Sequence, residues 1–284
     1  MIAKPFTYVA PQKVDEAVSL LKNCLGEALV LGGGTMLVPA MTREESRPEL
    51  VVDLRRIGLK GIFEERGNII IEARASYEDV LASALIAEQA PLLVQMASGV
   101  TGGRSITGQG TLVGSAFFAN PASDVPACLA ALGARIRLVG ADGVREVAMA
   151  EFFLGGFQTS RRQDEIGMAL ILPRPQGRVS TSYRKVKPSG SSWPIITVAC
   201  VIEEISAGIA TISLAIGGLA STPLHISATV EAVSSRAQEE LVYALVSNVK
   251  SPWEDALADA EYRSRVAPAI ALRVMREALG MHHG

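Results

Sequence analysis

Two glycine-rich tracts, each set between strongly apolar runs, constrain this chain more than any other feature. In the first, Gly32, Gly33 and Gly34 follow EALVL and precede TMLV. In the second, SGVTGGRSITGQGTLVGS at residues 98 to 115, six glycines leave room for almost no long apolar side chains. The second tract reads as one extended loop, and a long loop inside a compact domain is usually functional. Glycine lets backbone N–H groups converge on an anion without a Cβ in the way. Thr35, Thr111 and Ser115 add hydroxyl donors beside those glycines. Neither tract has the G-x-G-x-x-G spacing of a dinucleotide fold or the Gly-Lys-Ser/Thr of a P-loop. Alone, the first cluster reads as a tight turn after a buried strand. Two such tracts in one chain suggest a phosphate pinched from both sides.

The flanking segments alternate between helix and strand. VDEAVSLLKN places Val14, Ala17, Val18 and Leu21 at helical spacing, with Asp15 and Glu16 in the first turn, where they suit the helix dipole. EALVL is a short buried strand, and LVVDLRRI, residues 50 to 57, is another, making a βαβ-like unit. NIIIEARAS reads as a strand, YEDVLASALIAEQ as one helix, and PLLVQMAS as a helix opened by Pro91. DVPACLAALGA is a helix with Ser123 or Asp124 as cap and a stop at Gly133, followed by strands RIRLVG, VREVAM and DEIGMALILP. From about residue 178, TSYRKVK, WPIITVACVIEE and GIATISLAIGG read as strands, and the chain turns helical from Ser227 onward. Strands first and helices after make this last segment an α+β unit.

Composition removes several functions. The 284 residues, 49% of them hydrophobic, fill two or three structural units. A net charge of -2 and a pI near 6.0 provide no field for nucleic acid or anionic lipid. The N-terminus lacks signal-peptide features and no apolar stretch reaches membrane length, so the expectation is a soluble, cytoplasmic protein. Cys24, Cys128 and Cys200 are far apart in apolar contexts, His225 is isolated, and His282 and His283 lie in a terminal tail. No disulfide framework, metal site or iron–sulfur centre is expected in this chain. There is no Gly-x-Ser-x-Gly elbow and no Cys/His pair for nucleophilic catalysis.

Taken in order, KPFTYVAP, VLGGGTMLV, VVDLRRI, ITGQGTLVGSAFFANPASDVPACLAALGA, EFFLGGF, ILPRP, YRKV, ISLAIGGLASTPL and AEYRSRVAPAIALRVMREAL carry a resemblance over essentially the whole chain. The sequence resembles the FAD-binding medium subunit of the molybdenum hydroxylases, the family of carbon monoxide dehydrogenase and xanthine dehydrogenase. The resemblance implies an α+β fold. It begins with a two-subdomain FAD-binding domain of the vanillyl-alcohol-oxidase (PCMH) type, over residues 1–57 and 58–175. A C-terminal α+β CO-dehydrogenase-flavoprotein-like domain follows, over 178–284. It further implies bound FAD whose pyrophosphate is held by Gly32, Gly33, Gly34, Thr35, Met36 and Leu37 in one loop. The other loop contributes Thr111, Val113, Gly114 and Ser115. Asp124 is placed at the adenosine end and Lys185 near the flavin ring. The implied partners are a large molybdopterin subunit and a small [2Fe–2S] subunit in a dimer of heterotrimers. Electrons then pass from iron–sulfur clusters through FAD to an acceptor.

Val113 and Ser115 stand where the family carries glycine and Asn or Asp. A positive φ at Val113 would strain a β-branched residue and force the loop to rearrange. Those two positions favour an alternative, a flavin-free structural subunit of the same fold; a stand-alone flavoprotein is another. Asp124 also suits a helix N-cap, the tract Tyr183–Lys187 also suits a solvated strand edge, and Trp193 suits either a shield for the ring or a core or rim position.

Overall fold

The computed structural model describes residues 2–206, 208–230, 234–247 and 249–280, and in it three larger sheets succeed one another along the chain, beside one two-stranded sheet. The first unit comprises β1 (Thr7–Val9), α1 (Val14–Asn23), β2 (Ala28–Leu31), α2 (Leu37–Thr42) and β3 (Leu50–Asp53). Its strands lie in the order β1-β3-β2, with both pairs parallel. Central β3 is buried along its whole length, as a covered parallel strand must be. It stops at Asp53, whose carboxylate accepts from the Arg55 amide (2.8 Å) and caps a 3₁₀ turn over Leu54–Arg56. The strand expected over residues 50 to 57 is therefore cut short by its own acidic residue.

The second unit contains β4 (Ile62–Glu65), β5 (Asn68–Glu72), α3 (Tyr77–Ala82), α4 (Ala84–Gln89), α5 (Pro91–Ser98), α6 (Arg104–Thr107), α7 (Leu112–Phe118) and α8 (Asp124–Ala131). After these come β6 (Arg135–Gly140), β7 (Gly143–Ala148), α9 (Met149–Phe152), β8 (Phe153–Gly155), β9 (Gln158–Thr159) and β10 (Ile166–Pro173). The antiparallel sheet runs β4-β5-β10-β6-β7, so β10 joins two hairpins at its centre. YEDVLASALIAEQ forms two helices rather than one. Ser76 and Asp79 make a reciprocal capping box at the start of α3, and Ser83 ends α3 and accepts from the Ile86 amide to cap α4. The extended loop expected over residues 98 to 115 is also corrected. Within it, Thr107, Gly108 and Gly110 donate to the carbonyls of Gly103, Arg104 and Ile106, closing the turn α6, and Thr111 starts α7.

The third unit is the meander β11 (Arg178–Val186), β12 (Ile196–Ser206), β13 (Ile209–Gly217) and β14 (Leu224–Val230), with helices α10 (Ser235–Val246) and α11 (Ala260–Ala278). The helical stretch expected from Ser227 begins later, because LHISATV alternates half-buried and exposed positions and completes the sheet as β14. Residues 254 to 259 are not helical either; Asp259 caps α11 through the Tyr262 amide (2.7 Å). α11 packs on β11 and β12, and α8 of the second unit packs on β12 and β13. One apolar core joins the first two units and reaches Ala199 and Ala215; a second core fills the space under α10 and α11.

Candidate functional site

The two glycine tracts meet. After β2, the chain turns through Gly32–Met36 into α2, with Gly34 in the left-handed region at φ 77°. Gly33 is in contact with the second tract, where a Cβ would overlap the Gln109 carbonyl and crowd Gly110. Only glycine allows this approach. The second tract is fixed from the other side: the Tyr77 amide donates to Gly110 O (3.1 Å), and Ser76 bridges to Thr111.

Between them lies a cavity of about 360 Å³, within the range of small-molecule sites. Gly32, Gly33, Gly34, Thr35, Met36 and Leu37 line it from the first tract, and Thr111, Val113, Gly114 and Ser115 from the second. Among the described residues, the amides of Gly33, Gly34, Thr35, Met36 and Leu37 donate to no protein acceptor. These residues are half-buried, and a run of unpaired amides beside a cavity is a set of donors for an anion. Thr111 Oγ accepts from the Gly114 amide (3.0 Å), which leaves its own proton free. Ser115 Oγ lies 2.6 Å from the Tyr77 hydroxyl. Burial pushes the Tyr77 phenol well above its ordinary range, and nearby Asp124 adds to this, so Tyr77 stays protonated. With Tyr77 donating, Ser115 keeps a proton for a ligand oxygen.

Val113 causes no backbone strain. It sits inside α7 with an ordinary negative φ, and its side chain is 5% exposed, against β10 at Gly167. The expected rearrangement does not occur, because a helical position tolerates the branched side chain that a left-handed one would refuse.

Asp124 and Lys185 lie apart from the cavity lining and are bound to each other. Asp124 Oδ1 accepts from Lys185 Nζ (2.6 Å) and from the Tyr183 hydroxyl (2.5 Å), while Lys185 also donates to Gly99 O (2.6 Å). Lys187 holds Thr101 (3.1 Å) and Gly190 O (2.6 Å). These two lysines tie the start of the second glycine tract to β11. The Tyr183–Lys187 tract does lie on an edge strand, but only Arg184 in it is exposed, and that side chain pairs with Glu277 at 2.7 Å. Ser123 occupies the N-cap of α8, but neither it nor Asp124 supplies a side-chain cap. Trp193 is a rim residue, 42% exposed, its ring 6.2 Å from that of Phe118, which lines the cavity.

Sequence reasoning missed Tyr77, Arg161 and Glu165. Among the described residues, Arg161 is the one cation on the cavity wall and Glu165 the one carboxylate. Both come from SRRQDE, of which only Asp164 and Glu165 fall in an expected element, the start of the strand DEIGMALILP, and nothing in their spacing indicated that the segment folds back onto the glycine loops. Among the described residues no cluster could hold a metal ion, no cysteine is paired, and no helix is long and apolar enough to cross a membrane. His282 and His283 lie outside the described residues.

Residues 4–175 match the family model of the FAD binding domain in molybdopterin dehydrogenase, and residues 181–278 match that of the CO dehydrogenase flavoprotein C-terminal domain. The carbon monoxide dehydrogenase medium chain of Afipia carboxidovorans is 29% identical over 283 residues, covering 98% of each chain. The glyceraldehyde dehydrogenase medium chain of Sulfolobus acidocaldarius is 27% identical, covering 98% of this chain and 99% of that one. The structure of carbon monoxide dehydrogenase from Hydrogenophaga pseudoflava, in a form lacking the Mo-pyranopterin moiety, superposes with a TM-score of 0.91 at 28% identity, covering both chains fully.

Proposed function

This chain belongs to the FAD-binding flavoprotein family of the molybdopterin dehydrogenases, and from that membership we propose how its residues serve the bound flavin. It is a medium, FAD-binding subunit of a molybdenum-hydroxylase-type oxidoreductase. The observation that carries the reading is the convergence of both glycine tracts on one cavity whose loop amides have no protein acceptor. This donor set matches a pyrophosphate, and no Cβ from Gly32, Gly33 or Gly34 stands in the way.

When bound, FAD supplies the redox chemistry, exchanging single electrons with one partner and electron pairs with another. The chain supplies position and electrostatics. The amides of Gly33 to Leu37 face the anion, with hydroxyl protons from Thr35, Thr111 and Ser115. Gly114 allows the second tract to approach without a side chain, and Val113 closes the wall against β10. Asp124 and Lys185 act at one remove. Their ion pair, tied to Gly99, fixes the tract that carries Thr111 and Ser115, while the second carboxylate oxygen of Asp124 remains for the nucleotide.

The units are proposed as residues 1–57, 58–175 and 178–284. The partners are a large molybdopterin subunit and a small [2Fe–2S] subunit in a dimer of heterotrimers, since this chain has no metal-binding cluster among its described residues. Its unpaired cysteines suit the cytoplasm. Relatives are named for carbon monoxide and for glyceraldehyde, so the substrate is set on another subunit.

The test is the visible spectrum of the purified chain, with chromatography of what denaturation releases. One FAD per chain is the expected result. A colourless protein that stays colourless after FAD and partner subunits are added would leave the flavin-free structural role instead.

A further inference from the structure

Arg161 is half-buried, and the protein satisfies only one of its nitrogens. Nη1 donates to the carbonyls of Gln163 (3.2 Å) and Glu165 (3.3 Å), while Nε and Nη2 have no acceptor among the described residues. The two carboxylates that act on it electrostatically, Glu165 and Asp164, are already engaged. Glu165 is held by both arms of Arg145 (2.5 and 2.8 Å) and by the Arg162 amide (2.7 Å). Asp164 accepts from the Ala141 amide (2.8 Å). On the cavity wall the Glu165 charge is therefore cancelled by Arg145, and that of Arg161 is left over. A partly desolvated guanidinium with free donors calls for an anion, and its planar fork suits phosphate oxygens.

We propose that Arg161 is the cationic ligand of the cofactor's pyrophosphate, completing from the β10 side the clamp that the two glycine tracts make with neutral donors. The proposal rests on the flavin reading of this cavity. The pyrophosphate carries the formal negative charge of oxidised FAD, and Arg161 is the only cation among the described residues that line the cavity.

The experiment measures FAD affinity of the deflavinated whole chain as a function of salt for wild type, Arg161→Gln and Arg161→Lys, with riboflavin as a probe lacking the pyrophosphate. Arg161→Gln should weaken FAD roughly 10- to 100-fold, the scale of a lost charge-assisted contact. It should also flatten the dependence of log Kd on log salt and leave riboflavin binding unchanged. Arg161→Lys, which keeps the charge without the fork, should fall between, and it carries the test should the Gln variant not fold. Wild-type FAD affinity and salt slope in both variants would overturn the role of Arg161 alone. Equal weakening of FAD and riboflavin would also overturn it, placing Arg161 on the ring or in folding. A wild-type chain that takes up no FAD at all would overturn the flavin reading itself.

Discussion

Arg161 and Arg263 are both drawn away from water, and the protein treats them in opposite ways. Arg263, on α11 in the third unit, is 0% exposed and saturated. It donates to the carbonyls of Ile195, Gly218 (3.0 Å) and Ala258 (3.3 Å), and pairs with Asp255 at 2.6 Å. One side chain thus joins the start of β12, the end of β13 and the entry to α11. Arg161, in the second unit, has one nitrogen occupied and lines a cavity. A saturated buried cation is a staple; one left unsaturated beside a cavity is half of a binding contact. The polar groups around Arg263 complete one another within the C-terminal unit, whereas Arg161 keeps donors over beside the cavity.

Removing the staple should have the largest effect. Arg263→Met leaves Asp255 and three carbonyls without their donor, and should cost about 3–5 kcal/mol of stability, as breaking a buried pair does. Urea midpoints would read this directly. The comparison predicts that any chain still folded at low temperature binds FAD with wild-type affinity. A variant that kept its stability but lost FAD would invert the roles assigned to the two arginines.

Gly33→Ala comes next and acts on the cavity side. The added methyl would overlap the Gln109 carbonyl, which is backbone and cannot turn aside, so the two tracts must part. Such overpacking costs about 1–3 kcal/mol. The signature that separates it from Arg263→Met is a loss of FAD affinity in chains that remain folded. Unchanged FAD binding would mean that the contact between the tracts does not shape the site.

Most of the architecture could be read from sequence because periodicity and glycine act locally. The α1 pattern, the strands β2 and β3 and the two tracts were legible, although of these strands only β3 is buried throughout and β2 is mostly half-buried. What was missed depends on distant partners. Ser83 divides a continuous helical pattern by capping its second half, and β14 looked like the beginning of a helix because its alternation is spread over Leu224, Ile226, Ala228 and Val230 with polar residues between. Val113 looked strained only while its place within α7 was unknown. Arg161 was invisible because only the tertiary fold sets SRRQDE against the glycine loops.

The bookkeeping of charge at the cavity can be checked by pH. Burial alone would raise the Glu165 carboxyl, but hydrogen bonds from Arg145 and the Arg162 amide outweigh it and hold the group below its ordinary range. A depressed carboxylate contributes stability that is complete above its unfolded pKa of about 4.3 and is lost as pH falls through the lower folded value. Asp255 and Glu277 are held low as well, so the wild-type acid limb is composite. The diagnostic is a difference: Glu165→Gln should flatten the decline in thermal midpoint between about pH 5 and 3 relative to wild type. An identical slope would mean that Glu165 is not committed to Arg145, and Arg161 would then have a partner of its own.

The smallest effect tests whether unsatisfied groups always signal a ligand. Gln238, on α10 in the third unit, is 0% exposed, and neither its amide oxygen nor its nitrogen finds a partner among the described residues. Among the described residues it lines neither of the two cavities described for the protein. Arg161 and Gln238 therefore differ in kind: Arg161 is half-buried on a cavity wall, whereas both amide atoms of Gln238 are sealed off without a partner. A buried amide without hydrogen bonds costs about 1–3 kcal/mol, and methionine has nearly its shape. Gln238→Met should stabilise the chain by about 1 kcal/mol and leave FAD affinity unchanged. Destabilisation instead would show that Gln238 does make bonds in solution. The contrast with Arg161 would then rest on the cavity rather than on the count of free donors.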